Sequence, residues 1–147
     1  MNKNDELILT VTDVTNEGSG VAKYEGMAVF VPSTAVGDKI LAKILKVKKT
    51  YAYGKVMEIL EPADSRITPD CEAFPKCGGC VFRHIDYNAE LSLKENKVYE
   101  CVKRIGGVDL KPQAILYGKN TDSYRNKAQY PVAYENGEII VKMVDKL

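Results

Sequence analysis

Val21-Ala22-Lys23-Tyr24-Glu25-Gly26-Met27-Ala28-Val29-Phe30-Val31 is the stretch on which the fold turns. Two short runs of β-branched, aromatic and small residues flank Glu25-Gly26, a turn-forming pair, and together they predict a β-hairpin. Upstream, Leu7, Leu9 and Val11 alternate with Ile8, Thr10 and Thr12, the two-residue period of a half-buried strand. Asn16-Glu17-Gly18-Ser19-Gly20 then supplies the turn into the hairpin. Downstream, Pro32 and Gly37-Asp38 punctuate the chain, and Lys39–Val47 and Ala52–Leu60 read as two more strands. Five short strands between residues 5 and 62, with no helical period, predict a small closed barrel of the OB type.

Past the barrel the character of the chain changes. Pro62 and Pro69 bracket a linker, followed by Cys71-Glu72-Ala73-Phe74-Pro75-Lys76-Cys77-Gly78-Gly79-Cys80, which gathers three of the four cysteines with C-x5-C-x2-C spacing. Gly78-Gly79 lets the backbone fold tightly enough to aim several sulfurs at one point. Three incidental thiols are the plain alternative, but in a reducing compartment clustered thiolates read as ligands of a soft metal rather than as bridges. A zinc ribbon would want a second C-x2-C pair, which the chain lacks. Three clustered cysteines with a distant fourth is an arrangement that iron–sulfur clusters use. The distant one, Cys101, lies among Val98, Val102 and Ile105 at helical spacing and reads as core filler. His84, the lone histidine, reads as a hydrogen-bonded structural residue rather than a ligand.

The remainder predicts a helix and then strands. Asp86 is placed to cap a helix in which Leu91, Val98, Cys101, Val102 and Ile105 recur at helical spacing, with Lys103 and Arg104 in its last turn and Gly106-Gly107 ending it. Ala114–Tyr117, Tyr124–Tyr134 and Glu138–Val144 are strand-like, and Asn136-Gly137 signals a hairpin between the last two. The fold class is therefore mainly β with one helix.

Length and composition set the outer bounds. A chain of 147 residues, 45% hydrophobic and 28% charged, is one ordinary domain or two small ones and is too apolar to be disordered throughout. A net charge of +1 selects no partner by itself. No apolar run reaches the ~20 residues of a membrane span, and the opening Met1-Asn2-Lys3-Asn4-Asp5-Glu6 lacks the pattern of a signal segment. The expected location is the cytoplasm, with no membrane partner.

Charge matters only locally. Lys43, Lys46, Lys48, Lys49 and Lys55 are interrupted by no acidic residue and are interleaved with Tyr51 and Tyr53. Cations for phosphates beside rings for bases is the chemistry by which OB-type barrels hold single-stranded nucleic acid. The competing reading is a solvated strand edge on which lysines prevent edge-to-edge pairing. Near the other end, Tyr124-Arg125-Asn126-Lys127 offers guanidinium, amide and ammonium donors, so Arg125 and Lys127 are candidate RNA contacts, with an exposed polar strand face as the alternative.

Arg66-Ile67-Thr68-Pro69-Asp70-Cys71, the CGGC knuckle, His84, Lys94, Arg104-Ile105-Gly106-Gly107 and Tyr124-Arg125-Asn126-Lys127 together resemble the RNA (uracil-5-)-methyltransferases of the 23S ribosomal RNA type, over roughly residues 5–141. The resemblance implies a TRAM barrel at 1–62 that binds RNA, a [4Fe-4S] loop at 63–85 ligated by Cys71, Cys77 and Cys80, and at 86–147 the start of a central domain. It also implies a fourth cluster thiolate from further along the central domain, and S-adenosylmethionine bound by a C-terminal domain. The RNA contacts expected on this basis are Lys46, Lys48, Lys49, Tyr51, Tyr53, Arg125 and Lys127. In such enzymes a cysteine attacks C6 of the uridine and a carboxylate later removes the C5 proton. No catalytic residue of that kind is recognisable in this sequence, and the chain is expected to be inactive alone, a second chain being one possible source of the catalytic domain. Lys142-Met143-Val144-Asp145-Lys146-Leu147 also departs from the family pattern. A stand-alone RNA-binding module, with a structural metal or a redox-sensing cluster, is the alternative.

Overall fold

The computed structural model describes residues 1–76, 79–121, 127 and 130–141. Among these, five strands form a closed barrel: β1 (Glu6–Val14), β2 (Ser19–Tyr24), β3 (Met27–Pro32), β4 (Lys39–Val47) and β5 (Tyr51–Glu61), in the order β1-β2-β3-β5-β4. All neighbours are antiparallel except β3 and β5, whose parallel pairing (Ala28 with Tyr51, Val29 with Ala52, Phe30 with Tyr53) closes the ring. The strands and the barrel are those the alternation predicts.

The inward positions are Leu9 and Val11, Ala22, Val29 and Val31, Ile40, Ala42 and Ile44, and Ala52. Fully burying each Val, Leu or Ile contributes about 1.5–3 kcal/mol. Five strands enclose a narrow interior, which explains why alanines alternate with larger side chains. Gly54 belongs to the same economy of space: a Cβ there would lie 3.3 Å from the Lys43 carbonyl oxygen and 3.4 Å from Val31 Cγ2. Register shifts along β4 and β5, between Lys39 and Ile40, Leu41 and Ala42, and Ile44 and Lys46, bend the longest strands around this core.

By contact, the chain divides into two compact units, Met1–Glu72 with Val81–Glu90 and Ala73–Cys80 with Leu91–Leu147. The helix α1 runs from Tyr87 to Arg104. Asp86 caps it as predicted, its Oδ1 accepting from the backbone N–H groups of Asn88 (2.9 Å) and Ala89 (3.2 Å). Gly107, at φ +69°, follows its end. Tyr99 Oη donates to Asp109 Oδ1 at 2.6 Å, and Lys103 Nζ reaches both Tyr99 Oη (3.0 Å) and Asp109 (2.9 Å), tying that end down. The hairpin of β6 (Val132–Glu135) and β7 (Glu138–Val141) turns at Asn136-Gly137.

Three local expectations differ from the described structure. Ala114–Tyr117 is irregular rather than a strand; of the strand expected over Tyr124–Tyr134, residues 124–126 and 128–129 lie outside the described residues, 127, 130 and 131 are in no strand, and β6 begins at Val132. The run at 114–117 is only four residues long and is part of neither sheet of the described residues. Cys101 is exposed rather than core filler, as are Val98, Val102 and Ile105, while Leu91 is the buried residue of α1. Lys94, Glu95, Lys97, Glu100, Lys103 and Arg104 keep the helix solvated around that stripe.

A buried charge network fixes the end of the barrel between β3 and β4. Asp38 is fully buried and accepts from the N–H of Ala35 (2.7 Å) and of Ala63 (2.9 Å). Arg66 grips the same carboxylate through Nε (3.1 and 3.2 Å) and Nη2, and Nη2 also donates to the Ser33 carbonyl at 3.0 Å. Burial pushes the Asp38 carboxyl up, but the hydrogen bonds from Arg66, Ala35 and Ala63 outweigh it and hold the pKa below the ordinary Asp value. Gly37-Asp38, legible in the sequence only as a turn, thus pins the linker at residues 63–66. Beyond it Ile67 N–H donates to the His84 carbonyl (3.1 Å) and Asp86 N–H to that of Ser65 (2.8 Å). His84 is buried, and its Nε2–H donates to the Thr34 carbonyl at 3.2 Å, while burial lowers its pKa and favours the neutral ring. Asp38→Ala leaves the Arg66 guanidinium largely buried without its counter-ion and is expected to cost about 3–5 kcal/mol, read from the denaturant midpoint. Because the folded pKa of Asp38 lies below the unfolded one, its stabilisation is complete above the ordinary Asp value of about 3.9 and is lost as pH falls toward the folded value. Asp38→Asn should therefore flatten the loss of stability below about pH 4.

Candidate nucleic-acid interface

On β5, Ala52 and Gly54 point inward, so Tyr51, Tyr53 and Lys55 stand on the outside of the barrel. Strict alternation along β4, where Ile40, Ala42 and Ile44 are buried, would send Lys46 into the core as well. The register shift between Ile44 and Lys46 prevents this. Lys46 emerges on the outer face directly opposite Tyr53, and Val47, opposite Ala52, turns inward to pack on the core. Lys48 and Lys49 are exposed in the turn joining the two strands, where Lys48 N–H donates to the Tyr51 carbonyl at 2.8 Å.

The parallel pairing of β3 with β5 adds a residue that sequence reasoning does not single out. Phe30 stands beside Tyr53, with ring centroids 5.9 Å apart and planes at 42°, and 5.7 Å from Tyr51 at 69°. Tyr51 and Tyr53 meet edge to face, 5.4 Å apart at 86°. Three rings therefore form one cluster on the barrel wall, with Lys46 across the strand pair from Tyr53, Lys48 and Lys49 in the turn before Tyr51, and Lys55 two residues beyond Tyr53. Nothing local in the sequence points to Phe30, since its contact with Tyr53 crosses a strand pair formed by distant segments. Among the described residues no ion pair engages Lys46, Lys48, Lys49 or Lys55, whereas Lys43 approaches Glu6 at 3.9 Å. Unneutralised cations around exposed rings can hold phosphates and bases at once.

The other expected sites are placed less completely. Lys127 is exposed and outside any strand, and Arg125 lies outside the described residues. Cys71 and Cys80 are exposed free thiols, and Cys77 lies outside the described residues. Among the described residues no group of three or more His, Cys, Asp and Glu side chains is placed to hold a metal ion. Asp70, next to Cys71, receives two parallel hydrogen bonds from Arg83, Nε to Oδ1 at 2.6 Å and Nη2 to Oδ2 at 2.8 Å. Those bonds hold its carboxyl below the ordinary Asp value. No helix of the described residues is long and apolar enough to cross a membrane.

Comparison with known proteins places this geometry in a family context. Residues 2–57 match the model of the TRAM domain. The chain is 38% identical over 146 residues to an uncharacterized RNA methyltransferase of Listeria monocytogenes, covering 99% of this chain and 32% of that protein. An uncharacterized RNA methyltransferase of Nostoc sp. is 42% identical over 129 residues, 86% of this chain and 28% of that protein. The chain thus spans about a third of the length of the curated relatives it matches. Among solved structures, the crystal structure of Pyrococcus abyssi tRNA (uracil-54, C5)-methyltransferase in complex with S-adenosyl-L-homocysteine matches at 26% identity and a TM-score of 0.42, over 67% of this chain and 21% of that chain. The barrel is the part that matches the TRAM domain, and nearly the whole chain is similar in sequence to uncharacterized RNA methyltransferases.

The ring cluster has a measurable signature. Hydrogen bonding with the Tyr51 side chain, then the charge of a Tyr51 phenolate, then desolvation, push the Tyr53 phenol above the ordinary Tyr value. Tyr51→Phe should therefore lower the Tyr53 pKa, followed by NMR of a 13Cζ-tyrosine label. An unchanged Tyr53 titration would show that the two side chains are not coupled.

Proposed function

We propose that this chain is the RNA-recognition portion of an S-adenosylmethionine-dependent RNA (uracil-5-)-methyltransferase acting on 23S ribosomal RNA. The observation that carries the RNA reading is the cluster of Phe30, Tyr51 and Tyr53, framed by four lysines that have no acidic partner among the described residues. Homology to RNA methyltransferases across nearly the whole chain supports it, as does the TRAM match over the same barrel. In this reading Lys46, Lys48 and Lys49 neutralise phosphates and the rings meet bases. Arg125 and Lys127 are the RNA contacts of the second unit.

Cys71, Cys77 and Cys80 are assigned to a [4Fe-4S] cluster. The donor set fits by its chemistry, since three soft thiolates suit such a cluster and leave one iron for a further ligand. Once bound, the cluster would cross-link the loop that the Asp70–Arg83 pair brackets. S-adenosylmethionine fits less well. Among the described residues no strand passes through a glycine-rich turn into a helix, so no step of the methyl transfer is assigned to the residues of this chain.

Two outcomes test the proposal. RNA affinity should fall as salt rises, with a slope of roughly −0.7 per phosphate neutralised on a single strand. Replacing Lys46, Lys48 and Lys49 together with alanine should flatten that slope and weaken binding to every sequence. Equal binding by the triple variant at every salt concentration would reduce the lysines to a solvated edge. Separately, protein purified without oxygen should contain iron and sulfide, and Cys77→Ser should lose them. Stoichiometric zinc that survives Cys77→Ser would overturn the cluster assignment.

A further inference from the structure

The ring cluster points beyond RNA binding in general to the form of RNA it takes. We propose that Tyr53 is a stacking platform for one unpaired base, so that the barrel selects single-stranded over duplex RNA. Lys46 sits beside the ring for the adjoining phosphate. This rests on the RNA reading given above and names the substrate class of the same surface.

The three aromatic side chains are not equivalent. Tyr53 is 43% exposed, while Phe30 and Tyr51 are only partly exposed. Tyr51 meets Tyr53 at 86° and Phe30 meets it at 42°, so neither neighbour lies parallel on the Tyr53 ring. Both brace it from the side, which limits the rotamer freedom that a bound base would otherwise have to restrict. A braced, exposed ring whose neighbours do not stack on it suits the offset-parallel packing of a nucleobase. Tyr51, nearer the turn and half-buried, is the support rather than the platform.

The surrounding charge decides the occupant. Lys46 lies directly across the strand pair from Tyr53 and Lys55 two residues along the same face, with Lys48 and Lys49 in the adjacent turn. An apolar protein partner would gain from the rings but would have to desolvate several ammonium groups. A polyanion with flat apolar units gains from both. Bases inside a duplex are already stacked on each other and cannot reach the ring, whereas the bases of a single strand can be splayed onto it. The lysines alone would hold either form, so the ring is what discriminates.

The test uses the full chain, an oligouridylate, and an RNA hairpin of equal phosphate number whose stem is closed by a non-nucleosidic linker in place of loop bases, with fluorescence anisotropy across a salt series. The parent should bind the single strand more tightly than the hairpin. Tyr53→Ala should weaken single-strand binding roughly 5- to 150-fold, the range expected for one stacked base, leave the salt slope unchanged and barely affect the hairpin. Tyr53→Trp should retain binding, and Tyr53→Leu, which keeps apolar bulk without a π face, should lose it as Tyr53→Ala does. If Tyr53→Ala or Tyr53→Leu binds the single strand as the parent does while the triple lysine variant fails, stacking is wrong and the RNA reading stands. Parent protein that binds neither RNA overturns both.

Discussion

Five strands can close into a barrel only if the longest of them bend, and in this chain register shifts bend them, one in the β1–β2 ladder between Val11 and Asp13 and three in the β4–β5 ladder. The place of Lys46 on the outer face, opposite Tyr53, follows from where the last of those shifts falls. With them, the ladder curves far enough for β5 to pair with β3 as well as β4, and the sheet has no free edge. The interior left by that curvature is small, and Ala22, Ala42, Ala52 and Gly54 supply the room that larger residues would deny. Core composition and strand path are thus one constraint seen from two sides.

The second organising feature is electrostatic. A fully buried carboxylate is costly unless its oxygens are satisfied, and Asp38 meets that condition with backbone N–H groups from both sides and the guanidinium of Arg66. Its partners come from the β3–β4 loop and from residues 63–66, so the network converts a linker into a fixed strap across the barrel end. His84 and Ile85, which return to the same region after the cysteine segment, are buried there, and a short bridge joins Ile85 to Arg66. Asp70 and Arg83 then pair on either side of that segment. The barrel unit therefore holds the chain on both sides of the segment that contains Cys71, Cys77 and Cys80.

Strands, turns, the capping Asp86 and the final hairpin are legible in the sequence because each is a local signal. Alternation, a Glu-Gly or Asn-Gly pair, and an acceptor one residue before a helix all act within a few residues. Cys71, Cys77 and Cys80 stand out for the same reason, by spacing. Where local signals are weak, the sequence misleads. Ala114–Tyr117 is apolar but lies in no strand of the described residues, and of the helical stripe that contains Cys101 only Leu91 is buried. A period states which residues share a face and says nothing of whether that face is covered.

The sequence by itself determined that residues 5–62 form a small barrel and that lysines and tyrosines concentrate on β4 and β5. Only the tertiary structure decided how they are arranged. The register shift before Lys46 moves that side chain from the inward series of Ile40, Ala42 and Ile44 to a place opposite Tyr53. The parallel β3–β5 pair brings Phe30 to Tyr53 across 23 positions of sequence, by the pairing Phe30↔Tyr53. Asp38 and Arg66 meet across 28. Alternation specifies facing along one strand, but a bulge resets it and ring closure selects partners from distant segments. Both depend on how the whole barrel closes, which no local stretch encodes.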